Sequence, residues 1–210
     1  SDYIQTAQYS YTNGRLNNVV VFDDYESEQS SCAYDEIGNP TNYLGRVATW
    51  SHGHRLDNFG GAHFTYNTSG IRTRKAINGV ETKYLLNGTD VVCQQSSNGK
   101  TFKFYYGIDG VTAFDYNGAK YYYKKNIFGD IIGIYDSNFN WVARYVYDAW
   151  GNCKVVDEDG SELIYDSSLI AYQNPFRYRG YYFDVETGLY YLNARYYDPQ
   201  IGRFICPDSI

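Results

Sequence analysis

Near the C-terminus, Arg195, Asp198, Arg203 and Asp208 gather two carboxylates and two guanidinium groups in one short stretch. Two carboxylates brought together can share a proton and act as acid and base, because proximity drives their pKa values apart. Arg195 and Arg203 would then position the acids. The plainer role is structural, with Asp198 closing a turn and the arginines pairing with carboxylates or carbonyls. The other reactive side chains are sparse. His52, Gly53 and His54 could present a metal pair, but no carboxylate cluster accompanies them, and structural or catalytic metal sites use richer ligand sets. His52, His54 and His63 therefore read as solvated loop residues, and neither metal nor cofactor is expected. Cys32, Cys93, Cys153 and Cys206 lie far apart with no C-x-x-C spacing. They read as small buried side chains, with a disulfide as the alternative. There is no Gly-x-Ser-x-Gly elbow and no phosphate-cradling glycine loop.

The elements that would hold these groups are short strands and turns. Of the aromatic residues, 26 are Tyr, 11 Phe and 3 Trp. Tyrosine favours strands and half-buried positions, where the ring packs and the hydroxyl finds a partner. With 20 glycines and no long amphipathic helical pattern, the chain reads as all-β. A net charge of −6, a pI near 5.0 and the lack of a basic stripe argue against nucleic-acid binding. No apolar run is long enough to span a bilayer, and the polar start has no signal-peptide pattern. The absence of methionine suggests a fragment of a longer polypeptide.

Along the chain, Tyr9 to Phe22 reads as a hairpin turning at Asn13-Gly14, the strongest short-range hairpin signal. Residues 23–31, acidic and serine-rich, read as a solvated loop. Tyr34-Asp35-Glu-Ile-Gly38-Asn39 follows. Tyrosine ends a strand with a ring to bury, aspartate accepts from the turn amides, and glycine takes the left-handed position. Residues 64–72 repeat the plan with Asn67. Asn78-Gly79, Asn87-Gly88, Asn98-Gly99 and Asn117-Gly118 mark further turns, and Phe102, Phe104 and Tyr106 share one strand face. Tyr135-Asp136 and Tyr147-Asp148-Ala-Trp-Gly151-Asn152 sit one strand and turn apart. In the last stretch, 174–208, two Asp-x-x-x-Gly turns (Asp184 to Gly188, Asp198 to Gly202) frame an aromatic run. Residues 188–197 read as one strand, apolar on both faces and so interior.

The segments 126–156 and 174–208 resemble the last repeats and the repeat-associated core of Rhs/YD-repeat proteins. That family includes bacterial polymorphic toxins, the C components of Tc toxins and, more distantly, teneurins. The resemblance implies consecutive antiparallel hairpins forming a wall over 1–156, an acidic polar loop over 157–173, and a closing core segment, or plug, over 174–210. Units recur irregularly, as in a degenerate repeat.

The implied role is a structural β-shell that encloses or anchors a C-terminal toxin or cargo polypeptide, in a secreted or cell-surface parent. In the family, aspartates matching Asp198 and Asp208 are associated with self-cleavage that frees the cargo. This sequence ends before the later Asp-Pro-x-Gly where relatives are cut, and Ser209 stands where proline is common. The chain itself is expected not to be an enzyme. An aspartyl autoproteolytic domain and a cell-surface adhesion or carbohydrate-binding module are the competing readings, the latter resting on exposed tyrosines as sugar platforms. A partial wall also leaves open strand edges, through which self-association is expected.

Overall fold

The computed structural model describes residues 6–22 and 26–208. Among these, sixteen strands run in chain order from Thr6–Thr12 to Cys153–Val156, each antiparallel to the next, in one open sheet. Successive residues of a strand face opposite sides. In Thr101–Gly107, Phe102 and Phe104 are buried while Lys103 and Tyr105 are exposed. Tyr106 lies half-buried on the inner side, its hydroxyl donating to the Val91 carbonyl at 2.8 Å.

The repeat motif has a clear physical basis. In the turn at Asp148, the carboxylate accepts from the backbone N–H of Trp150 (2.8 Å) and Asn152 (3.0 Å), and from the Asn152 side-chain amide (2.6 Å). Gly151 takes the left-handed conformation at φ 93° and donates to the Asp148 carbonyl. The preceding Tyr147 donates its hydroxyl to the Ile131 carbonyl at 2.6 Å. The same bracing recurs from Tyr34 to the Leu16 carbonyl and from Tyr66 to the Leu56 carbonyl, both at 2.7 Å. Asp35 with Gly38 and Asn67 with Gly70 close equivalent turns. At these three turns tyrosine ties its strand to the one before it, while the neighbouring Asp or Asn shapes the turn.

Two expectations change. Residues 27–31 are not a loop: Ser27–Tyr34 is a strand, paired through Ser27–Ser31 with Asn18–Phe22. Its side chains are mostly exposed, so polar residues suffice and the apolar strand signal is missing. Residues 23–25 lie outside the described residues. The single strand expected over 188–197 is a tight hairpin, with Leu189–Leu192 and Arg195–Asp198 joined through Asn193 and Ala194. Asn193 adopts φ 60°, which an asparagine tolerates better than most side chains.

The last part of the chain lies across the inner face of the sheet. Asp157 to Ser161 repeats the Asp-turn, with Gly160 at φ 84°, and a single helical turn spans Ile170–Gln173. A second sheet follows, of Tyr182–Asp184, Leu189–Leu192, Arg195–Asp198 and Arg203–Phe204 in that order. Leu189, Tyr190 and Tyr191 are all buried in an inner strand of it. Phe176 packs edge-on against Phe104, and Tyr182 against Tyr84. Tyr116, Tyr123 and Tyr145 hydroxyls donate to Gln173, Asn174 and the Ala171 carbonyl.

At Gly151 an added Cβ would sit 2.6 Å from the Tyr178 ring, whereas at Gly160 it would meet nothing within 4 Å. Both glycines have positive φ. Gly160→Ala should therefore cost about 1 kcal/mol of left-handed strain. Gly151→Ala should cost roughly 2–4 kcal/mol, because overpacking against the plug is added. Urea unfolding of the two variants measures the difference.

Candidate functional site

The contact of plug and wall centres on Asp184, at 0% exposure. Its turn is closed by its own carbonyl, which accepts from Thr187 and Gly188 N–H, with Gly188 at φ 74°. The carboxylate is thereby free to reach the wall. Arg72 meets it with both terminal nitrogens, Nη1 at 2.5 Å from Oδ2 and Nη2 at 3.1 Å from Oδ1. Lys75 donates to Asp184 Oδ1 at 2.9 Å and to Glu186 Oε2 at 2.6 Å. Around the Arg72 guanidinium, the rings of Tyr191, Tyr84, Tyr182, Phe64 and Tyr196 lie 4.3 to 5.9 Å away. The Arg72 backbone N–H also donates to the Tyr191 hydroxyl. Burial pushes the Asp184 carboxyl upward, but Arg72 and Lys75 outweigh it and hold the group below the usual carboxylate range.

Local backbone geometry brings Arg72 and Lys75 to one face although they are an odd number of residues apart. Phe64 pairs with Lys75 and Thr65 with Arg74, but Tyr66 pairs with Arg72, leaving Thr73 over as a bulge. One extra residue shifts the alternation by one and turns both cations inward.

Asp198 is also nearly buried, at 6% exposure. Its side chain accepts from the Gln200 N–H at 2.8 Å and the Tyr43 hydroxyl at 3.1 Å, and its carbonyl accepts from Gly202 N–H, with Gly202 at φ 70°. Burial pushes its carboxyl up, the hydrogen bonds only partly opposing. A cavity of about 420 Å³ adjoins it, lined also by Arg46 and Glu28. Asp208 is 61% exposed and paired with Arg195 at 3.2 Å. The Arg195 guanidinium stacks on Phe204, and that of Arg203 on Tyr11. Asp198 and Asp208 thus have different partners, and no hydrogen bond joins them.

The histidines serve local contacts. His54 meets Asn39, His52 meets Ser51 and His63 meets Asn58. The cysteines are free thiols, Cys32 and Cys206 buried. Among the described residues no helix is long and apolar enough to cross a membrane.

Arg72, Lys75, Tyr43 and Tyr196 escaped the sequence reading. Their partners are distant in sequence, Asp184 standing 112 residues from Arg72, and no local motif marks them.

An open wall of braced hairpins with a terminal segment laid over its inner face defines a YD-repeat β-shell. The family model of the teneurin YD-shell matches residues 92–210, and the chain belongs to that family. It is 36% identical over 189 residues to a tRNA3(Ser)-specific nuclease WapA of Bacillus spizizenii, covering 85% of this chain and 8% of the relative. A tRNA nuclease WapA of Bacillus subtilis is 37% identical over the same shares. Among solved structures, the TcdB2-TccC3 crystal structure matches at TM-score 0.62 and 16% identity, over 97% of this chain and 12% of that one. A Photorhabdus luminescens Tc holotoxin pore matches at TM-score 0.62, over 98% and 12%. The chain therefore spans about a tenth of the length of these proteins.

Replacing Asp184 by Asn leaves the buried Arg72 without a carboxylate and Lys75 with Glu186 alone, and should cost about 3–5 kcal/mol. Because the folded pKa of Asp184 is lowered, its contribution is present above the ordinary carboxylate range and lost as pH falls through and below it. Asp198 has the opposite sign, since its ionised form is the costly one when folded. Asp198→Asn should match or exceed the wild-type melting temperature at pH 7, the difference shrinking as pH falls through the raised pKa. Thermal melts of both variants from pH 3 to pH 8 check the two signs.

Proposed function

We propose that this chain is wall and closure of a shell that encloses or anchors a C-terminal toxin or cargo polypeptide, in a parent that is secreted or displayed at the cell surface. The observation that carries this reading is the plug seated on the inner face of an open wall and locked there by Asp184 on Arg72 and Lys75. Such an arrangement ends a strip of hairpins without closing it into a barrel. The nuclease names of the WapA relatives and the toxin titles of the structural neighbours support a toxin as the cargo. The role here is structural, with the chemistry carried by the cargo.

A second reading, release of that cargo by self-cleavage, draws support from Asp198, a carboxyl whose raised pKa favours the proton and which adjoins a cavity. Asp208 would have to leave Arg195 to join it.

Both readings are tested on the longer parent chain, extended through its own C-terminal region. A protease-resistant C-terminal region that becomes digestible in the Asp184→Asn variant supports enclosure; equal digestion with and without the substitution overturns it. Discrete loss of a C-terminal piece in intact mass, abolished by Asp198→Asn or Asp208→Asn, supports release, and unchanged mass removes it.

The strand Thr6–Thr12 is exposed along its whole length and is paired only with Arg15–Phe22 among the described residues. An unpaired edge is a template for another strand. Sedimentation over a wide concentration range should reveal self-association, weakened by a proline placed in this strand.

A further inference from the structure

A cavity of about 250 Å³ lies between the wall turns 51–55 and 66–71 and the plug turn 193–194. It is smaller than the clefts that take drug-sized ligands, about 300–1,000 Å³, and suits an ion or a single functional group. Its lining includes His52, His54, Arg55, Ser69 and Asn193 and no carboxylate, in a chain whose net charge is −6. The Arg55 guanidinium lies over the Tyr66 ring at 5.5 Å and makes no ion pair among the described residues.

Two chains of hydrogen bonds aim the histidines. The Asn39 side chain, at 0% exposure, donates its amide hydrogens to Asp35 Oδ2 and to the Gly53 carbonyl, each at 2.9 Å. Its oxygen can then only accept, so the His54 ring meets it with Nδ1–H. Ser51 donates its hydroxyl to Asp57 Oδ1 at 2.8 Å, so His52 Nδ1, 3.2 Å from the Ser51 oxygen, carries a hydrogen as well. Bonds of this kind fix both the tautomer and the orientation of an imidazole. Each ring keeps Nε2 for the cavity, and the carboxylates of Asp35 and Asp57 are held behind neutral side chains. His52 and Asn193, on opposite sides of the cavity, hold left-handed backbone at φ 46° and 60°. Such strain in non-glycine residues persists only where the surroundings enforce it, and it clusters at ligand-binding positions.

The lining selects its ligand. A guanidinium offers a planar fork of donors to oxygens that bear negative charge. An imidazole whose hydrogen sits on Nδ1 presents a lone pair at Nε2, which accepts a hydrogen bond or takes the proton outright. The side chains of Ser69 and Asn193, which make no hydrogen bond among the described residues, add further donors. Arg55 repels a metal cation, and an ionised carboxylate has no hydrogen to give Nε2. A phosphate meets both demands, with charged oxygens for the guanidinium and a P–OH for an imidazole. We propose that this cavity binds a phosphate group, as the free ion or as the terminal monoester of a larger molecule. The site is built from turns of the wall and plug and needs no cargo, so it stands or falls apart from the shell role.

The test is calorimetric titration of the 210-residue chain with inorganic phosphate, glycerol 3-phosphate and sulfate at one ionic strength. Saturable binding of at least one phosphate probe is expected, the tighter of the two showing whether the free ion or a monoester is the ligand. Sulfate has the same shape but no hydrogen to give, and should bind about tenfold more weakly or less. Arg55→Gln should weaken the phosphate about tenfold or more, as the loss of a charged hydrogen bond does. His52→Asn, at an exposed position, removes Nε2 but keeps a residue that tolerates left-handed backbone, so it should melt with the wild type while still weakening the phosphate. Binding of neither phosphate probe, sulfate bound as tightly as phosphate, or affinity unchanged in both variants would overturn the assignment.

Discussion

The molecule depends on a charge that could not be buried alone. An arginine at 2% exposure, ringed by aromatic faces, is tolerable only because a carboxylate at 0% exposure meets it. Desolvating either group costs several kcal/mol, recovered through close pairing and further hydrogen bonds. The paired groups come from the wall and from the plug. Until the plug is seated, Arg72 and Lys75 are cations on a face that is otherwise apolar, and Asp184 is a carboxylate with no partner. The ion pair therefore adds less to net stability than it does to uniqueness. It makes one seating of the plug far better than any displaced one, because a shifted register would bury three charges unpaired.

Tyrosine does the complementary work. A phenylalanine wall would pack as well, but it could not satisfy polar atoms beneath the packed rings. Here hydroxyls reach backbone carbonyls within the wall, as from Tyr147 to Ile131, and across to it from the plug, as from Tyr190 to Gly151 and Tyr197 to Trp150. Burial raises the pKa of Tyr147, Tyr190 and Tyr197, so these hydroxyls remain protonated donors at neutral pH. The abundance of this residue is thus a consequence of layering one β-sheet on another whose turns face it.

What could be read from the sequence was whatever is decided locally. The Asp-turns depend on one side chain and the amides within four residues of it, so Asp35, Asp148 and the Asn-Gly hairpins were visible. The alternation at Phe102 and Phe104 was visible for the same reason. Ser27–Ser31 was misread because a strand exposed on both faces carries no hydrophobic signature. The turn at Asn193 was hidden because neither it nor Ala194 is a glycine or proline. Asp184 was placed in its turn correctly, yet its carboxylate serves a partner that only folding brings near. Arg72 and Lys75, in a run of four residues with three cations, look like a solvated basic strand, and a bulge that no motif announces is what turns them inward.

The open sheet and its plug also stand in a definite relation as folding units. An open sheet of this length needs something to cover one face, since sheets with an apolar face are stable only when that face is packed. Leu56, Phe59, Phe64, Phe102 and Phe114 form that face, and the core they enter continues through Phe176, Tyr182, Leu189 and Tyr196. The wall thus has no complete core of its own, and neither does a four-stranded sheet whose end strand, Arg203–Phe204, has two residues. Each half supplies the surface the other lacks. Local hairpins can form early, because their contacts are close in sequence, but the contacts that dry the inner face span from Tyr43 to Asp198, 155 residues apart. Closing so long a separation comes late and slowly in a chain dominated by local pairing. Until those contacts form, the inner face of the wall is undried, and Arg72 and Lys75 are cations that suit such a face to water.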